Sequence, residues 1–255
     1  MITNKYWVFK GAISKEKCEK IIELGIENLE NAEVGGEAEK HNNPDKIPSN
    51  TLTKQEIKDK NLSTYVRDSQ VSWIEEKWIY DLISPFVQTA NDNAGWKFDI
   101  EHHETPQFTK YSDNGFYGWH TDGLGDHHAV FKPFVRGLTD IKMRKDGGVP
   151  HEYTQNYKHF YKVRKLSMTV NLTDPTTYDG GDLMFDFGSN DEGKITVNEA
   201  REQGSVIIFP SFLYHCISPV TRGIRYSLVN WTLGRPFKWV IKKIYKNILK
   251  KIHML

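Results

Sequence analysis

Residues 106–122 read Pro-Gln-Phe-Thr-Lys-Tyr-Ser-Asp-Asn-Gly-Phe-Tyr-Gly-Trp-His-Thr-Asp and end in His120-Thr121-Asp122. In an extended strand, side chains two positions apart point to the same face, so His120 and Asp122 can aim an imidazole and a carboxylate at one point. Two such ligands and one later histidine make the facial triad that holds non-haem Fe(II) and leaves positions open for substrates. A His-x-Asp triplet is weak evidence in a chain with 10 histidines and 33 acidic residues. Its meaning depends on whether the rest of the chain supplies a second histidine and an anion-binding arginine.

Working outward, the chain from about residue 96 to 233 is mostly short strands and turns. Trp96–Ile100 and Phe108–Tyr111 read as strands, and Leu166–Leu172 is a clear one. Asp179-Gly180-Gly181-Asp182 is a turn, after which Leu183–Phe187 alternates. Gly204–Phe209 reads as a buried strand ended by Pro210, followed by strands over Leu213–Ile217 and Arg225–Trp231. The stretch 123–162 interrupts them with Gly147-Gly148, two prolines and several aromatics. A loop of that length inside a compact domain is uncommon and often functional.

Before this region the pattern is helical. Tyr6–Phe9 is a short β-like run, and Ser14 is a good N-cap for a helix carrying Cys18, Ile21, Ile22, Gly25 and Leu29 on one stripe. Cys18 falls on that stripe as a buried thiol. Residues 35–64 are polar and read as a surface loop. The apolar pattern resumes at Val71–Ile74, and Trp78, Leu82, Ile83, Phe86 and Val87 fit a second helix interrupted near Pro85. Helices first and strands after predict an α+β, mainly β fold: a jelly-roll or double-stranded β-helix core supported by helices. We expect one domain over 1–235, with mainly helical support over 1–95 and the core over 96–235, then a separate basic helix over 236–255.

Composition narrows the classes. A net charge of +1 makes the whole molecule no electrostatic magnet for nucleic acid. Two cysteines, Cys18 and Cys216, without a Cys-x-x-Cys, argue against a disulfide scaffold or thiolate zinc site. No apolar run reaches the roughly 20 residues of a membrane span, and Met1–Lys10 lacks signal-peptide character. The expected compartment is cytoplasmic.

His215 lies between Leu213 and Ile217 on one strand face, where a histidine is either a satisfied core residue or a ligand. Arg225 shares a face with Ser227 and Val229. An arginine pointing into a barrel is costly unless an anion meets it, and its planar fork suits a carboxylate that Ser227 can also bind; the alternative is a surface arginine on an edge strand. His215 and Arg225 stand ten positions apart across the Pro219–Gly223 turn, so a hairpin can bring both into one cavity.

This order of His-x-Asp, a later His and an Arg ten positions on resembles the Fe(II)/2-oxoglutarate-dependent dioxygenases, and more closely their prolyl 4-hydroxylase and PKHD-type branch. Tyr111, Gly115, Tyr117 and His120-Thr121-Asp122 resemble its lead-in to the metal strand. Gly180-Gly181-Asp182-Leu183-Met184-Phe185 resembles its hairpin, Gly204–Phe209 with His215 its final metal strand, and Gly223–Ser227 its co-substrate strand. Val8–Ser14 and Arg67–Trp73 also have counterparts, whereas 123–162 is longer than the common core.

The resemblance implies that His120, Asp122 and His215 hold Fe(II). Arg225 then pairs with the distal carboxylate of 2-oxoglutarate, helped by Ser227 and a hydroxyl from Tyr111 or Tyr117. O₂ is the second co-substrate, with ascorbate as a reductant. The implied reaction hydroxylates an unactivated C–H bond, with a peptidyl proline the leading substrate and a peptide or protein the partner. The alternatives are the same chemistry on a free amino acid or nucleic-acid base, a silent jelly-roll binding module, and a zinc hydrolase.

Smaller features have bland readings. Trp119 and Trp231 are expected in the core, although they could line a cleft. Asp126-His127-His128 and His102-His103-Glu104 are expected as solvated loop residues, and Cys216 points away from the ligand face. The tail, 236–255, carries six lysines and no acid with isoleucines at helical spacing. It reads as an amphipathic basic helix that docks on the sheet or meets an anionic membrane surface or nucleic acid.

Overall fold

A computed structural model describes residues 4–32, 67–123, 162–188 and 193–237. The expected loop at 35–64, the interior of the 123–162 insertion with Asp126-His127-His128, and the tail beyond 237 lie outside the described residues.

Two helices and fifteen strands make up this part. The chain runs β1 (Trp7–Phe9), α1 (Lys15–Ile26), β2 (Glu30–Asn31), β3 (Arg67–Asp68), β4 (Gln70–Trp73), α2 (Lys77–Asn93), β5 (His102–His103), β6 (Gln107–Tyr111) and β7 (Phe116–His120). It continues through β8 (Val163–Asn171), β9 (Asp179–Gly180), β10 (Leu183–Asp186), β11 (Lys194–Thr196), β12 (Val206–Pro210), β13 (Tyr214–Ile217), β14 (Val220–Arg222) and β15 (Arg225–Gly234). The major sheet has the order β1-β12-β8-β15-β6-β4-β2, with β5 also paired to β15; the minor sheet is β11-β10-β13-β7-β3. This is the jelly-roll architecture that the strand pattern predicts. The stretch before residue 95 supplies strands to both sheets as well as the two helices. No described helix is long and apolar enough to cross a membrane.

Period-two alternation sorts the major sheet's side chains between two cores. Val206, Ile208, Met168, Val170, Leu228 and Phe108 pack under Cys18 and Ile21 of α1 and Ile79, Ile83 and Val87 of α2. Ile207, Phe209 and Tyr111 face the other way, against Leu183, Phe185 and Ile217 of the minor sheet. The run 206–209 is continuously apolar because both faces of β12 are covered. On β6, β8 and β15 this face also carries a row of buried polar groups: Gln107, Thr109, Ser167, Thr169, Asn171 and Ser227. A polar wall on strands whose other face is helix-covered marks where a ligand cavity opens.

Local chemistry sets the helix positions. Ser14 caps α1, its hydroxyl accepting from the Lys17 amide. Gly25 allows α1 to lie against the sheet, since a Cβ there would fall 2.2–2.5 Å from the Phe108 ring. The break expected near Pro85 is absent, and α2 runs unbroken through it. The apolar stripe Ile79–Ile83–Val87–Ala90 is fully buried, which offsets the ~3 kcal/mol that an interior proline costs. Trp96–Ile100, expected as a strand, is not one. The Asn91 side chain takes both backbone groups of Phe98 at 2.9 Å, and Lys97 is left-handed (φ 51°). Those backbone groups are satisfied without a neighbouring strand.

Candidate metal centre

β7 and β13 are neighbours in the minor sheet, and His120 and His215 are directly paired across them. Each imidazole is oriented the same way. His120 Nδ1 lies 2.7 Å from the Gly118 carbonyl and His215 Nδ1 lies 2.9 Å from the Leu213 carbonyl. A carbonyl can only accept, so Nδ1 carries the proton and the Nε2 lone pair faces outward. Asp122 stands just past the end of β7. Its backbone amide is anchored by the Ser211 carbonyl at 2.9 Å, as is that of Gly123 at 3.0 Å. Asp122 Oδ1 is 3.6 Å from His120 Nε2, and Oδ2 is 3.5 Å from His215 Nε2. The three ligand atoms lie within 4.8 Å of one another. Two neutral imidazole nitrogens and one carboxylate on a single side fit a first-row divalent cation with open positions.

The electrostatics favour that state. Burial first, then the neighbouring His120, pushes the His215 imidazole down to about 4, so it is neutral at pH 7. Burial acts to raise the Asp122 carboxyl, but the neighbouring His215 and His120 rings and nearby Arg164 outweigh it and hold the group well below the usual carboxylate range. Asp122 Oδ2 also accepts from the Ser167 hydroxyl at 2.6 Å. Ser211 Oγ, 3.0 Å from Ser167 Oγ, completes the chain.

A bulge in β8 makes this support possible. Thr232 pairs with Leu166 but Leu233 pairs with Arg164, so Lys165 is an extra residue. Arg164 and Ser167, three positions apart, both reach Asp122: Ser167 at its carboxylate, and Arg164 Nη1 at its carbonyl at 3.4 Å. Arg164 also grips Glu104 with two bonds of 2.7 Å and lies 4.0 Å over the Trp231 ring.

The triad borders a cavity between the sheets. Tyr111, Tyr117 and Ser227 line it with the three ligands, as does Arg67. The Tyr117 ring stacks on His120 at 3.6 Å, and burial pushes its phenol up to about 12. Arg225 is only 3% exposed but is not part of the cavity wall. It is paired with Tyr111 across β6 and β15, its guanidinium 5.6 Å from that ring. Among the described residues it has no carboxylate partner. Gly181 explains the Gly-Gly turn, because a Cβ there would stand 2.7 Å from Arg225 Cδ and the backbone is left-handed (φ 65°).

Several expectations need correction. His102-His103-Glu104 is not a solvated loop: it pairs with β15, His103 bonds Asn230 at 2.7 Å, and Glu104 is buried against Arg164. A short, polar tripeptide hides this because its partner strand is more than a hundred residues away. Trp231 is buried, as expected, and also lines the cavity, while Trp119 stacks on the exposed Tyr214. Cys216, next to His215 on β13, pairs with Met184 of β10. Sequence reasoning missed Ser167, Arg164 and Arg67. The only signal for Arg67 is the alternation Arg67, Ser69, Val71, Trp73, which reads as a strand opening on a charge.

Known proteins agree with this geometry. The profile of the 2OG-Fe(II) oxygenase superfamily matches residues 106–233. The PKHD-type hydroxylase YbiX of Escherichia coli is 32% identical over 130 residues, which is 50% of this chain and 42% of that protein; its Escherichia fergusonii counterpart matches equally. The match thus spans under half the length of these relatives. A viral collagen prolyl hydroxylase from Paramecium Bursaria Chlorella virus-1 superposes with a TM-score of 0.52 at 14% identity, covering 91% of this chain and 97% of its own. A 2OG-Fe(II) family oxidoreductase from Burkholderia pseudomallei gives 0.51 at 13%, covering 89% and 84%. Those two likenesses concern the fold; the profile covers the core that carries the candidate triad, from the strand before His120 to the strand that carries Arg225, and by it the chain belongs to the 2OG-Fe(II) oxygenase superfamily.

Proposed function

We propose that the protein is an Fe(II)- and 2-oxoglutarate-dependent hydroxylase of an unactivated C–H bond, with a peptidyl proline as the leading substrate. The observation that carries this reading is the convergence of His120, Asp122 and His215 on one point of a cavity wall, with the buried Arg225 on β15, the strand that also brings Ser227 and Trp231 to that wall. Bound Fe(II), with 2-oxoglutarate and O₂, supplies the oxidising chemistry.

The protein's own groups bind, orient and exclude water. His120, Asp122 and His215 hold the metal on one side and leave the cavity side open. Arg225 pairs with the distal carboxylate of 2-oxoglutarate, with Ser227 and the Tyr111 hydroxyl as neighbouring donors. Tyr117, its phenol neutral, holds the His120 ring flat by stacking. Trp231 Nε1 is buried without an acceptor among the described residues and lines the cavity, so it offers a donor to a substrate carbonyl. Ascorbate is the proposed reductant.

The test is an anaerobic titration with Fe(II) and 2-oxoglutarate followed by visible absorption. A charge-transfer band that requires both components supports the reading. Iron bound without such a band means that the triad does not present adjacent open positions, and the oxygenase reading then fails.

A further inference from the structure

Arg67 is a buried cation in the wall of this cavity, and the chemistry above does not use it. It is 7% exposed and forms part of the wall. Its Nε donates to Ser69 Oγ at 2.8 Å, and its Nη2 donates to Gln107 Oε1 at 3.0 Å and to Thr109 Oγ1 at 3.4 Å. The guanidinium lies over the Tyr117 ring, 4.6 Å from its centroid. These bonds occupy the Nε proton and both Nη2 protons. Among the described residues, the two Nη1 protons meet no acceptor, and no carboxylate pairs with Arg67.

Among the described residues, Asp122 is the one carboxylate in the cavity wall, and its oxygens are turned to the two histidines and Ser167. Holding a guanidinium away from water with only neutral partners is unfavourable. The free edge of a planar fork held by three bonds is shaped for a carboxylate. 2-Oxoglutarate would bring one distal carboxylate, which the proposed function gives to the buried Arg225 behind the wall, so Arg67 is left for another anion.

Resting on the proposed function, we infer that Arg67 receives a carboxylate carried by the substrate itself. The substrate class is then a small or chain-terminal carboxylate: a free imino or amino acid, or the C-terminal residue of a peptide. A mid-chain residue brings no carboxylate of its own to this position.

The experiment uses the protein loaded with zinc(II) and 2-oxoglutarate, which fills the metal and co-substrate sites without turnover. Free L-proline, glycyl-glycyl-L-proline and glycyl-glycyl-L-prolinamide are titrated by calorimetry. At least one of the two carboxylates is expected to bind about ten-fold or more tightly than the amide, as loss of a charge-assisted pair implies. Which one does so identifies the free amino acid or the chain end. Arg67→Gln removes the preference while zinc and 2-oxoglutarate affinities stay within about two-fold. Arg67→Lys, which keeps the charge without the fork, restores part of it.

Equal binding of amide and carboxylates overturns the inference, as does the failure of both carboxylates to bind at millimolar concentration. It also falls if Arg67→Gln weakens zinc or 2-oxoglutarate as much as it weakens the probe, because Arg67 then acts only by holding Tyr117 against His120. Failure of 2-oxoglutarate to bind the zinc-loaded protein sinks the proposed function instead. The carboxylate preference and its loss in Arg67→Gln are read in the same way without it.

Discussion

At the scale of single residues, the proposed metal ligands depend on partners that would not touch the metal. Ser167 fixes the Asp122 carboxylate, so Ser167→Ala is expected to weaken Fe(II) binding by about 10–100-fold. A competitive metal titration checks this, and Ser167→Thr, which keeps the hydroxyl, should recover most of the affinity. Unchanged affinity in the alanine variant would mean that the backbone anchor at Ser211 positions Asp122 unaided. Arg225→Gln is expected to raise the 2-oxoglutarate requirement by roughly one to two decades, from about 1.5–3 kcal/mol of lost charge-assisted bonding. Metal affinity should stay level in that variant. An unaltered Michaelis constant for 2-oxoglutarate would hand the co-substrate to another cation, with Arg67 first in line.

At the scale of elements, the site depends on how closely the helices approach the major sheet. Phe108 on β6 lies under Gly25 of α1, and its neighbours in the strand, Gln107 and Thr109, face the cavity. Gly25→Ala puts a methyl group into the Phe108 ring and should destabilise the protein by about 1–3 kcal/mol through overpacking. A lower urea midpoint at unchanged slope is the expected readout. A midpoint equal to that of the parent would show that α1 can lift away without loss. The β8 bulge works at the same scale: one extra residue, Lys165, brings both Arg164 and Ser167 to Asp122, Arg164 at its carbonyl and Ser167 at its carboxylate. Straightening β8 by deleting Lys165 would turn one of the pair away.

At the scale of the whole molecule, His103 joins α2 to the major sheet, lying 3.2 Å from Ser84 Oγ and 2.7 Å from Asn230 Oδ1. Burial lowers its pKa, only partly offset by the Asn230 bond. The unfolded chain, with an ordinary histidine pKa near ~6.5, then takes up a proton before the folded one does. The contribution of His103 is complete above that value and is lost as pH falls from there through its lower folded pKa. Thermal melts of the parent and of His103→Gln should therefore draw together on acidification below pH ~6.5. A constant gap between the two from neutral to acid pH would remove His103 from the pH dependence.

The sequence by itself determined the strand-rich core, the capped first helix and the triad with its arginine. Each is written in local terms: a period of two, a serine before an apolar stripe, a His-x-Asp and a His and an Arg ten positions apart. The resemblance added the family, because several spaced motifs in one order constrain a chain more than any one of them. Only the tertiary structure decided the rest. It showed that Pro85 does not break α2, since the burial of a whole stripe outweighs one lost hydrogen bond. It turned Trp96–Ile100 from a strand into a segment held by Asn91. It placed His103 and Glu104 beside partners more than a hundred and about sixty residues away. It also brought Arg67, from a strand before the second helix, to the same cavity as the triad. Side-chain period is a property of neighbours along the chain, whereas counter-ions, bulges and cavity walls are set by which strands lie side by side.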